Sequence, residues 1–183
     1  MVDKIKLLAI DPEQKKWYEQ HLAYVKKTLP DRRVWSVGVS IVVNSELWWN
    51  NAHIYTSEEV NKELTYSEAR ARALDLIDAL GTSADSTRCP HRIKLDGMWE
   101  ELHKSHISQD GGRIPKGMKP FDIDVTVLVN GELWYHGWSL IGVDSDMVDE
   151  DTVKLIARSV VSSMKQDNST ARNLVDVKIR TNK

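Results

Sequence analysis

Two stretches of this 183-residue chain spell the same strand–turn–strand pattern, IVVNSELWWNNA from Ile41 and VLVNGELWYHGW from Val127. Asn130–Gly131 between alternating apolar residues is the strongest short-range signal for a tight hairpin, because a type I′ turn needs two residues that accept positive φ. Asn44–Ser45 holds the matching place in the first stretch. Before each turn the alternation is strict. Trp35, Val37, Val39, Ile41 and Val43 correspond to Phe121, Ile123, Val125, Val127 and Val129, all at an offset of 86. A period of two predicts strands with one face toward a core. Two such hairpins need a layer of helices over that face.

The helix signals fall in the right places. Asp11 as cap, Pro12 at the first helical position and Pro30 as a stop predict a helix to Leu29, with Tyr18, Leu22, Val25 and Leu29 as its apolar stripe. Thr65 to Glu68 reads as a capping box, followed by Ala69, Ala73, Leu76, Ile77 and Leu80 at helical spacing and closed by Gly81. A third, shorter helix is expected around Gly97–Ile107, then a loop from Ser108 to Pro120. A fourth starts near Asp149, with Val153, Ile156, Val160 and Met164 on one side. Short basic strands bracket these units at Lys4–Leu7, Arg92–Leu95 and Asp176–Ile179.

The expected fold class is therefore α+β: tandem duplicated αββα units, with antiparallel hairpins packed under helices. The first βαββα repeat spans residues 1–90 and the second, βαββαβ, spans 91–183, forming one compact pseudo-symmetric body. Each frame has the element order of a ferredoxin-like plait, with a middle strand shared or swapped between the two. A double-stranded-RNA-binding reading fails, because the last helix opens on the acidic stretch Ser145 to Thr152.

With a two-residue turn, Val127 pairs with Trp134, Thr126 with Tyr135 and Val125 with His136. Trp134 and Trp138 then fall on the core face with Phe121, Ile123 and Val125. The opposite face carries Val42, Leu47 and Trp49 in the first hairpin and Leu128, Leu133 and Tyr135 in the second. An open sheet normally shows polar residues there, so this apolar set asks for a partner. The first reading is an interface, internal or with another copy or protein. The alternative is a nucleobase platform with Trp49 and Tyr135 stacking bases. Seven Trp against a single Phe fit either surface role.

Charge is segregated although the net charge is only −2. Residues 120–151 hold eight acidic groups and no Lys or Arg, whereas the stretch after them is basic. Asp144, Asp146 and Asp149 read as a helix N-terminus, lacking the loop geometry of a calcium site. Arg32 and Arg33 in one loop, and Arg113, Lys116 and Lys119 in its counterpart, are where phosphates would sit if nucleic acid binds.

Among catalytic candidates, His136 is expected on the core side of its strand. Cys89 stands alone, two residues from His91. His103 and His106, three apart on a short helix, could ligate a metal with His91, although surface histidines are common. No catalytic residue, metal or cofactor is assigned. The functional expectation is a non-enzymatic binding module with a protein partner or itself. The alternative is nucleic acid, and the third reading is a small enzyme near His136 or Cys89. A single cysteine, no signal-peptide pattern and no long apolar run lead to the expectation of a cytoplasmic chain without membrane contact.

Overall fold

Alternating β-branched residues make two long hairpins, and the asparagine turns close them. In the computed structural model, which describes residues 12–57, 66–81, 93–95, 97–130, 132–144 and 150–163, strand β1 (Arg33–Val43) turns into β2 (Glu46–Ser57), and β4 (Lys119–Val129) turns into β5 (Glu132–Val143). Asn44, Ser45 and Asn130 take positive φ of 48°, 67° and 51°, the backbone that this kind of turn demands. A two-residue strand β3 (Ile93–Lys94) pairs with the start of β2. The five strands form one antiparallel sheet in the order β3-β2-β1-β4-β5.

Among the described residues four helices cover it: α1 (Pro12–Thr28), α2 (Tyr66–Asp78), α3 (Met98–Asp110) and α4 (Glu150–Ser162). A 3₁₀ turn at Ala79–Gly81 follows α2, and another at Gly111–Arg113 follows α3. The third helix is longer than the sequence suggests and takes in the first residues of the expected loop. The expected strands at Lys4–Leu7 and Asp176–Ile179, together with Thr65, Cys89, His91 and Met164, lie outside the described residues.

The hairpins join edge to edge. Strands β1 and β4 pair from Val37 opposite Val129 to Val43 opposite Ile123, with Ser40 facing Thr126 at the centre. The odd-numbered residues of β1 and β4 point under α2 and α4. There Val37, Val39, Ile41, Ile123, Val125 and Val127 pack with Ala73, Ile77, Val153 and Ala157 into the main core. At about 25 cal/mol per Å² of apolar surface removed from water, this cluster is the chief source of stability. The even-numbered face meets the other two helices: Tyr18 of α1 reaches Ser36, and Trp99 of α3 seals a second cluster with Val42, Leu47, Leu128 and Leu133.

The register departs from a simple two-residue hairpin at one residue in each copy. Val42 pairs with Leu47 but Ile41 with Trp49, leaving Trp48 as a bulge. Leu128 pairs with Leu133 but Val127 with Tyr135, leaving Trp134 as a bulge. A bulge adds one residue and inverts every face downstream of it. The expected pairs of Val127 with Trp134, Thr126 with Tyr135 and Val125 with His136 are therefore replaced. Thr126 lies opposite His136, and Asp124 opposite Trp138. Trp49 and Tyr135 lie in the main core, and the Tyr135 hydroxyl donates to the carbonyl of Val160 in α4 at 3.0 Å. Trp134 joins that core as expected, but Trp138 moves to the opposite face.

Candidate functional site

The bulge at Trp134 delivers His136 and Trp138 to the face that β4 furnishes with Asp122 and Asp124. Helix α3 crosses the same face. Its one-turn spacing places His103 and His106 on a common side, and both point at β4. Trp99, four residues before His103, anchors the helix in the apolar cluster beside them.

The resulting group is buried and ionisable. Asp122 and Asp124 are 0% and 2% exposed, and His106 is 4% exposed. The Nδ1 atom of His106 lies 2.9 and 2.8 Å from the two carboxylate oxygens of Asp122 and 3.8 Å from Oδ1 of Asp124. His103 Nδ1 is 3.2 Å from Asp122 Oδ2. His136 Nε2 is 2.7 Å from Asp124 Oδ1. The Trp138 indole stacks on the His106 ring, with centroids 3.9 Å apart and planes 7° from parallel. Trp99 meets the edge of the His136 ring.

Two carboxylates taken out of water within one cluster cost several kcal/mol each unless positive charge accompanies them. Here the ionic partners of both are imidazoles. Burial pushes the Asp124 carboxyl above its usual range. The His136 hydrogen bond opposes this, and the charge of Asp122 adds to it. Burial draws the His106 imidazole down, but the hydrogen bond to Asp122 and the charges of Asp124, Asp122 and Asp110 outweigh it and hold His106 above its ordinary value. Both shifts have one meaning: the cluster demands positive charge.

One donor atom each from His106, Asp122 and Asp124 lies within 4.8 Å of the others. Ligands bonded at about 2.0–2.2 Å to one small cation stand roughly 3–3.5 Å apart, so an ion would widen the His106–Asp122 contacts of 2.8 and 2.9 Å and shorten the 3.8 Å from His106 to Asp124. Nearby, the Nε1 of Trp99 and the Oγ1 of Thr126 are buried without a hydrogen-bond partner among the described residues.

The sequence expectations distribute as follows. Val42, Leu47, Leu128 and Leu133 share one face and are covered by Trp99 of α3 from the same chain. Trp49 and Tyr135 are buried on the other face, 1% and 2% exposed. Arg33 is buried at the start of β1, whereas Arg32, Lys116 and Lys119 are exposed. Arg113 is exposed and 3.8 Å from Asp110. These cations do not converge with the aromatic pair. His136 lies with the acidic cluster instead of in the main core. Asp122 and Asp124 are the site residues that sequence reading missed. Their signal is present in FDIDVTVLV: carboxylates at a period of two in a β-branched strand, beside a helix with His-x-x-His.

No protein-family model, curated protein or solved structure matches the chain. Among the described residues, no helix is long and apolar enough to cross a membrane.

Proposed function

We propose that this protein binds a divalent transition-metal ion between α3 and the β4–β5 hairpin, through His106 Nδ1 and one oxygen each of Asp122 and Asp124. An imidazole with two carboxylates selects zinc, manganese or iron over calcium or magnesium, which prefer all-oxygen shells. Three protein donors leave room for an oxygen ligand such as water, and the unpartnered Thr126 Oγ1 and Trp99 Nε1 are suited to hold one.

The observation that carries this reading is an asymmetry between the hairpins. Positions 86 apart occupy equivalent places in the two strand registers, with Ser40 opposite Thr126 at the centre. The first unit places Ser36, Gly38, Asn50 and Ala52 where the second has Asp122, Asp124, His136 and Trp138. Its helix–strand contact is a neutral bond of 2.9 Å between Tyr18 and Ser36. Its buried Asn50 donates to Ser40 at 2.8 Å. The scaffold thus closes with neutral groups, and the costly His/Asp set in the second unit serves something other than folding.

The test is equilibrium dialysis against zinc, manganese(II) and cobalt(II), followed by metal analysis. The proposal expects one tightly held ion per chain, lost in Asp122→Asn and Asp124→Asn. Equal retention by the folded variants contradicts it.

Docking of a protein partner is the second reading, favoured by α1. Trp17 and Tyr24 remain 45% and 64% exposed there, one of them stacked on His21. The face formed by Val42, Leu47, Leu128 and Leu133 does not favour it, because α3 covers that face.

A further inference from the structure

Three imidazoles surround the two carboxylates, and they are not equivalent. Only His106 brings a ring nitrogen close to both Asp122 and Asp124. His136 touches Asp124 through Nε2 at 2.7 Å, and His103 touches Asp122 through Nδ1 at 3.2 Å. We infer that His136 and His103 are positioning residues for the metal site proposed above: each donates a ring N–H to one ligand carboxylate and so fixes which oxygen faces the ion. The inference rests on that metal reading.

The chemistry follows from the donor inventory. An ionised carboxylate only accepts, so the imidazole nitrogen that faces it must carry the proton. His136 is therefore held as the Nε2–H tautomer and His103 as the Nδ1–H tautomer. His106 Nδ1 faces Asp122 as an N–H in the same way, and its proton leaves when the ion takes its place. Asp124 Oδ1, the oxygen His136 holds, lies 3.8 Å from His106 Nδ1, and Asp122 Oδ2, the oxygen His103 holds, lies 2.8 Å from it. Each keeps a second lone pair, so the two bonds hold these oxygens toward the ion. Hydrogen bonds of this kind orient ligand carboxylates, and their loss typically costs 10- to 100-fold in metal affinity.

The placement of the two rings fits unequal shares. The His136 side chain is 12% exposed and packs edge-on against Trp99, and its bond is the shorter. The His103 side chain is 22% exposed and its bond is longer. His136 is the stronger of the two positioners. The first unit again supplies the contrast: Asn50, the residue 86 positions before His136, donates to the hydroxyl of Ser40 at 2.8 Å.

The experiment is competition for zinc against a chromophoric chelator, with circular dichroism confirming the fold of each variant. Wild type binds one zinc per chain. His136→Ala keeps that stoichiometry and weakens affinity by 10- to 100-fold, and His103→Ala weakens it less. His136→Gln restores most of the loss, because the amide N–H can donate to Asp124 as the imidazole did. Asp124→Ala abolishes binding. Unchanged affinity in His136→Ala overturns the positioning role, as does a His136→Gln variant no better than His136→Ala with stoichiometry lost, which makes His136 a ligand. A folded wild type that takes up no zinc overturns the metal reading itself, and this inference with it.

Discussion

The turn residue Asn44 holds the backbone of Asp122 from the other hairpin. Its side-chain oxygen accepts the Asp122 N–H at 2.9 Å, and its own N–H donates to the Asp122 carbonyl at 3.0 Å. Asn130 grips Ser36 in the same manner, at 2.9 and 3.1 Å. The carboxylate at the centre of the site is thus set in place by a turn 78 residues away.

Asn44→Gly removes the acceptor while retaining a residue at ease with a φ of 48°. The buried Asp122 N–H loses its partner, at a cost of about 1–3 kcal/mol. Urea denaturation reads this directly. A midpoint equal to wild type contradicts the clamp.

Trp134→Ala opens a cavity in the main core and costs about 3–5 kcal/mol. Trp138→Ala costs less, because that ring is half-buried and lies over His106. Equal losses from the two substitutions in the same denaturation series count against the bulged register.

The hairpins, their turns and the four helices were legible because each rests on local rules: period two, positive-φ turn residues, caps and stops. The faces beyond each turn were not. The bulge leaves Trp48–Trp49 and Trp134–Tyr135 as adjacent aromatics, and a pair of neighbouring large apolar residues hides which of them is the extra one. That single residue sends Tyr135 to the core and His136 to the acidic face. Asp122 and Asp124 were counted within an acidic segment, although carboxylates inside a β-branched strand with both faces covered must have partners. The cover itself, α3 over the second face, is a tertiary fact that no local signal encodes.

Tyr55 provides a pH test on the main-core side. Burial raises its hydroxyl pKa above 10.0, against the lowering by the Arg72 guanidinium 4.3 Å over its ring, and Asp75 adds to the rise. In the unfolded chain it ionises at about 10. The folded state therefore holds its proton longer, and the stability tied to that proton, intact below pH 10, falls as pH rises through the folded value. Absorbance at the phenolate band, wild type minus Tyr55→Phe, should titrate above the ordinary tyrosine range. A titration at or below that range contradicts the burial.

Tyr135→Phe leaves the ring in the core but takes the donor from the Val160 carbonyl, a hydrogen bond of 3.0 Å between β5 and α4. The expected loss is about 0.5–1.5 kcal/mol, seen as a lower urea midpoint with the same slope. A gain in stability would show that the bond contributes nothing.

The central claim is the ion between α3 and β4, and an anomalous difference map from a zinc-soaked crystal at the zinc edge tests it most directly. The account predicts one dominant peak about 2.0–2.2 Å from His106 Nδ1 and from an oxygen of each of Asp122 and Asp124, with His136 and His103 one layer further out. A well-ordered cluster with no peak between those three residues, or with density only at surface histidines, contradicts it.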